Sequence, residues 1–138
     1  MSPESVFSLL VGIPIGLISG LYTGLIVTRY ARFAELRNEA LRIIRAIDYI
    51  EEGPLVKISN NEDVPKLINV ASDLLFLKHK KAGEQVCQLL KNISDKTNDA
   101  KLGKISVVEF GEQHSKWQKT ARELPGNKIV LWALWGNL

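Results

Sequence analysis

Between Glu4 and Arg29 the chain carries no charged residue, and the stretch VFSLLVGIPIGLISGLYTGLIV is apolar or small throughout. At 1.5 Å per residue such a run extends about 36 Å, enough to cross the ~30 Å hydrocarbon core of a bilayer as one helix. A secretory leader would need a basic start and a cleavage site after a short apolar core. Here the start is MSPE, the apolar run is longer, and Arg29, Tyr30 and Arg32 follow it. The segment therefore reads as an uncleaved anchor. Pro14 removes one backbone hydrogen bond, which membrane helices tolerate.

Within the run, every fourth residue is small: Ser8, Gly12, Gly16, Gly20, Gly24 and Thr28. Small residues four apart share a helical face and let a second helix approach closely. One GxxxG is common in any glycine-rich span. Overlapping copies extended by serine and threonine point to self-association, and in a closed ring to a pore. Steps of four drift by about 40° each on a helix of 3.6 residues per turn. The stripe therefore winds, and it suits crossed helices or a helix with two neighbours better than one straight contact.

The flanks set the expected orientation. Arg29, Arg32, Arg37, Arg42 and Arg45 follow the run, and no Lys or Arg precedes it. The positive-inside bias places the short N-terminus outside and the rest in the cytoplasm of a bacterial inner (plasma) membrane, as a single-pass protein. The expected division is a transmembrane anchor at 1–28 and a cytoplasmic helical domain at 29–138. Residues 53–138 hold 13 basic and 9 acidic groups, a mild excess that permits an anionic partner without requiring one.

No Gly or Pro interrupts residues 25–52, so one helix is expected from about residue 5 to 52. Its second half is a stalk with a seam of Phe33, Leu36, Ala40, Ile43, Ile47 and Ile50, in alternating steps of three and four. Leu41 and Ile44 widen that seam, which predicts one face against the chain's own domain and one against a neighbour. Gly53-Pro54 is expected to end the helix, with residues 54–63 as a connector. A second helix follows from about Pro65, and Gly83 either divides or bends it. Residues 94–104 read as an exposed loop. Ser106 with Glu109 forms a capping box for a third helix bearing Val107, Phe110, His114, Trp117, Ala121 and Leu124 on its apolar face. Pro125-Gly126-Asn127 stops it, and the tail KIVLWALWGNL forms a short helix or a strand. The expected class is all-α: one transmembrane helix continuing into a long stalk helix packed in a small bundle.

Chemistry-bearing residues are sparse. One cysteine, Cys87, excludes an internal disulfide and reads as a small core residue. Two histidines 35 positions apart make a zinc site improbable. No Arg stands four to six residues before His79 or His114, which argues against one helical ribonuclease chemistry. His114 reads as a half-buried histidine bonded to a neighbouring helix. Lys78, Lys80 and Lys81 form one basic cluster, and Lys116, Lys119 and Arg122 another. Either could hold a nucleotide, nucleic acid or anionic lipid, or simply face solvent. Trp132 and Trp135 could mark a membrane interface, but packing on the core or on another subunit fits so apolar a tail better. No catalytic, metal or cofactor constellation stands out, so the chain reads as not an enzyme, with no cofactor.

In organisation, span 6–28 with its glycine ladder followed by a helical domain at 29–138, the chain resembles the small membrane-anchored accessory effectors encoded beside RNA-targeting CRISPR systems. That resemblance implies a ring-forming inner-membrane protein that impairs the membrane during infection, in some cases in response to a cyclic oligonucleotide. The expected function is a homo-oligomeric, pore-forming antiphage effector. The alternative is a membrane-tethered binding module or sensor. Expected partners are further copies of the chain, the bilayer, and an anionic nucleotide or RNA–protein complex on the cytoplasmic side.

Overall fold

A computed structural model of the chain describes residues 3–133. The first element, α1, is one helix spanning Pro3–Arg45, and Pro14 lies inside it without ending it. Beyond it come a hairpin of β1 (Asp48–Glu52) and β2 (Leu55–Asn60), a short 3-10 turn at Val64–Lys66, and α2 (Leu67–Phe76). Then follow α3 (Lys80–Lys101), α4 (Val107–Arg122) and α5 (Lys128–Trp132). The fold is mostly helical, and the small antiparallel sheet corrects the all-α expectation.

The hairpin also corrects the expected length of the first helix. The chain leaves α1 at Arg45, and residues 48–52 pair with 55–60 through Glu52–Leu55, Glu51–Val56, Ile50–Lys57 and Tyr49–Ile58. Gly53-Pro54 is the two-residue loop between the strands. Gly53 has φ +68°, the left-handed conformation that such loops ask of glycine. The driving force is tertiary. Tyr49 lays its ring against Phe110 (centroids 4.9 Å apart) and His114 (5.5 Å), and Val56 is buried. A helix continued through residue 52 would carry these side chains away from α4.

The break between α2 and α3 falls at residues 77–79, before Gly83. His79 N–H donates to Leu74 O and Lys78 N–H to Leu75 O, the paired bonds of a Schellman motif. Lys78 occupies its left-handed position at φ 63°, where a non-glycine residue costs about 1 kcal/mol or slightly more. The end of α3 repeats the motif with Gly103 at φ 65°. Gly83 serves packing instead. A Cβ there would lie 2.6 Å from Leu75 Cγ and 3.1 Å from Ala71 O, so its absence lets α2 and α3 approach.

The expected loop at 94–104 is instead the last part of α3. Ile93, Thr97 and Ala100 are buried on one face, and the polar residues between them form the solvent face. The capping expectation at α4 is met: Ser106 Oγ accepts the Glu109 N–H. The core is built from Phe110, Ile43, Ile44, Leu67, Leu74, Ile93 and Val86, all essentially without exposed surface.

Candidate membrane interface

No residue in the most apolar window of α1 is buried by the rest of the chain, and α1 is long and apolar enough to cross a membrane. Four of its hydroxyls bond the preceding turn. Ser8 Oγ donates to Glu4 O, Ser19 Oγ to Gly16 O, Thr23 Oγ1 to Ser19 O and Thr28 Oγ1 to Gly24 O, at 2.8–3.1 Å. Hydroxyls bonded to the preceding turn can enter hydrocarbon at little cost. A Cβ at Gly12, Gly16, Gly20 or Gly24 would meet nothing within 4 Å. The ladder thus faces open space, and a shallow groove of about 270 Å³ runs along Ser8, Leu9, Gly12 and Ile13.

The lower end of this helix is gripped by α5. Asn127 caps α5, its Oδ1 accepting the Ile129 N–H. Leu131 is buried, and the missing Cβ of Gly126 leaves room for Phe33 and Leu131 at 3.2–3.3 Å. The carbonyls at the far end of α5, which a helix cannot satisfy itself, find partners on α1. The Arg29 guanidinium donates to Val130 O (3.1 Å) and to Ala133 O, and Tyr22 Oη donates to Trp132 O at 2.9 Å. The sequence presents Arg29 as a flanking charge, and nothing in the sequence pairs it with the tail. Packing of the tail on the chain's own helix is as expected, but Trp132 remains 63 % exposed. Trp135 lies outside the described residues.

His79 locks the same region. Its side chain is 2 % exposed, its ring stands 4.6 Å from that of Phe33, and its Nδ1 accepts the Asn127 N–H at 2.9 Å. Burial lowers its pKa from the ordinary histidine value. Because the folded state favours the neutral ring, this contribution is complete above the ordinary pKa near 6.5. It is lost as pH falls through that value toward the depressed folded one. The thermal midpoint should therefore drop between pH 7.5 and about pH 5, and His79→Gln should flatten that dependence. A profile identical in the two proteins would remove His79 from this role.

The remaining candidates separate clearly. Leu36, Ala40, Ile43 and Ile47, expected at a subunit contact, lie in the chain's own core at 0–5 % exposure. The seam is consumed by α2 and α4, because a spacing of three and four does not say whether the partner helix belongs to the same chain. Ile50, its last member, sits exposed in β1. His114 is half-buried, with Nε2 2.9 Å from Ile44 O on α1, as expected. Cys87 is partly buried against the core.

The two basic clusters stand on different elements. Lys78, Lys80 and Lys81 are exposed at the α2–α3 corner, with His79 turned inward. Lys116, Lys119 and Arg122 are exposed along α4, where Arg122 Nε donates to Gln118 O. Among the described residues no group of three His, Cys, Asp or Glu side chains could hold a metal ion.

Fold and surface together define a small helical bundle with a β-hairpin, continuous with one exposed apolar helix. Comparison with protein-family models, curated proteins and solved structures finds no match to this chain.

Proposed function

We propose that this protein is a non-enzymatic, homo-oligomeric effector of the bacterial inner membrane that acts in antiphage defence by forming a pore. The span crosses once, with the N-terminus outside and the bundle in the cytoplasm. The observation that carries this reading is the open ladder of Gly12, Gly16, Gly20 and Gly24 on a helix with self-satisfied hydroxyls. With the stalk seam enclosed in the bundle, the ladder is an open helix-packing surface among the described residues, and span–span packing through it carries the oligomer. The drift of the ladder around the helix gives each span two neighbours, as ring closure requires. The resemblance to membrane-anchored CRISPR accessory effectors supports the defence role. A nucleotide or RNA–protein complex would act on the cytoplasmic side.

A second reading is a membrane-tethered binding module or sensor for an anionic ligand such as a cyclic oligonucleotide, favoured by the exposed Lys78, Lys80, Lys81, Lys116, Lys119 and Arg122. Two measurements separate them. A particle of about six or more chains in detergent, together with dye-detected depolarisation of expressing cells that requires the span, is the expected result. A dimer in cells that keep their membrane potential would replace the pore by the tether.

A further inference from the structure

We infer that the end of the bundle nearest the span is a collar seated on the headgroups of an anionic bilayer leaflet. Its apolar members are Phe76, Ile129 and Trp132, and its cations are Lys80, Lys81 and Lys128. This rests on the reading of α1 as a membrane span and goes beyond it, because it concerns the bundle and not the span.

Contacts with α1 place these groups between the levels of Phe33 and Tyr22, at the end of the bundle that adjoins the span. Arg32 pairs with Asp73 of α2 at 3.8 Å, and a groove joins α1 residues Arg32, Glu35, Leu36 and Glu39 to α2 residues Lys66, Asn69, Val70 and Asp73. The helix α2 therefore runs antiparallel to α1, and its last residue, Phe76, lies past the level of Arg32 on the side of the span. Phe76 is 85 % exposed. The chain turns there, and α3 starts from the same end with Lys80 and Lys81. Lys80 lies 3.9 Å from Glu84 on the same helix, a loose exposed pair of little energetic weight.

On the other side, Gly126 lies at the level of Phe33, and α5 climbs from there until Trp132 O meets Tyr22. Tyr22 belongs to the uncharged run, and the separation from Phe33 to Tyr22 is about 17 Å along the helix. The run, about 36 Å long, slightly exceeds the hydrocarbon thickness, so its last turn lies among headgroups. The far end of α5 is thus carried to the boundary between headgroups and hydrocarbon.

Two features fit that depth. The end carbonyls of α5 are bonded by Arg29 and Tyr22 in place of water, as backbone entering an apolar layer must be. The outward side chains Ile129 (80 % exposed) and Trp132 are apolar and amphipathic, the types that anchor in an interface. Lys80, Lys81 and Lys128 are exposed close to His79 and Gly126, which meet α1 at Phe33, and they complement anionic lipid phosphates. Exposed apolar side chains thus stand at the end of the bundle that adjoins the exposed span, and the bilayer is the occupant common to both.

The test uses the full chain reconstituted in vesicles. Trp132 emission is taken as the difference between the wild-type protein and Trp132→Phe. Phospholipids brominated near the headgroup should quench most of that difference, and more strongly in vesicles containing phosphatidylglycerol than in pure phosphatidylcholine. The triple variant Lys80→Gln, Lys81→Gln, Lys128→Gln should lose the phosphatidylglycerol enhancement. Resistance to alkaline carbonate extraction reports the span independently. An unquenched difference signal in a protein that resists extraction overturns the collar and leaves the span reading intact. Quenching that is equal in both lipids overturns its anionic recognition. Extraction by carbonate overturns both readings together.

Discussion

Replacing both Gly16 and Gly20 by isoleucine should reduce the detergent-solubilised particle to single chains, as measured by light scattering. Each substitution adds a branched side chain where the isolated helix has open space, so the helix itself does not resist the change. Isoleucine also costs a helix less than glycine does and remains apolar, so the span still inserts. What is lost is the close approach of backbones that drives helix association in a bilayer, where lipid tails remove the ordinary hydrophobic incentive. The bundle, which contacts α1 from Tyr22 onward, keeps its core and its α5 docking. A particle that stays multimeric after both substitutions would show that the glycine face is not the contact and would remove the main support for the pore. Single substitutions should act more weakly, because the winding ladder distributes the contact over several turns.

What the sequence disclosed and what it concealed divide along a physical line. Local signals were readable: the uncharged run, the apolar faces of α2 and α4, the Ser106 cap, and the stop at Pro125-Gly126-Asn127. The hairpin was hidden because DYIEE contains no helix breaker. Its extended conformation is decided by Tyr49 finding Phe110 and His114, residues some sixty positions away. The last turns of α3 were hidden by composition. Residues 94–101 are mostly polar, and only Ile93, Thr97 and Ala100 reveal the buried face. The stalk seam is legible as a pattern, but its spacing does not tell a helix of the same chain from a neighbour, and Leu36, Ala40, Ile43 and Ile47 lie in the chain's own core.

The candidate interface was half legible in the same sense. The ladder and the flanking arginines are patterns along one element. By contrast, the docking of α5 through Arg29, Tyr22 and His79 joins residues about 50 to 110 positions apart. No periodicity records such a pairing. The level of Phe76 relative to the span likewise follows from the antiparallel path of α2, which only the fold supplies.

Phe110→Ala should destabilise the bundle by about 3–5 kcal/mol. Phe110 is fully buried and lies between Tyr49 of β1 and Trp117 of its own helix, with edge-on ring centroids at 4.9 and 5.6 Å. Part of the loss is the cavity left by the ring. A further share, on the order of 1 kcal/mol per aromatic pair, is the directed contact between ring edge and face. Against a total stability of roughly 5–15 kcal/mol for a domain of this size, that is a large fraction. Urea unfolding of the full chain in detergent micelles, followed by far-ultraviolet circular dichroism, should show the bundle transition at markedly lower denaturant, with the helical signal of the span persisting beyond it. The hairpin should loosen first. Tyr49 is its main anchor on α4, so trypsin should cut at the exposed Lys57 of β2 in the variant well before it does in the parent. A loss below about 1 kcal/mol with Lys57 still protected would mean that Phe110 does not hold the hairpin on the bundle. Because Trp117 also bonds Asn92 of α3 through its indole N–H at 2.7 Å, α3 and α4 should stay joined while the hairpin detaches. The order of proteolysis, β2 before α3, then distinguishes loss of this one anchor from general collapse of the core.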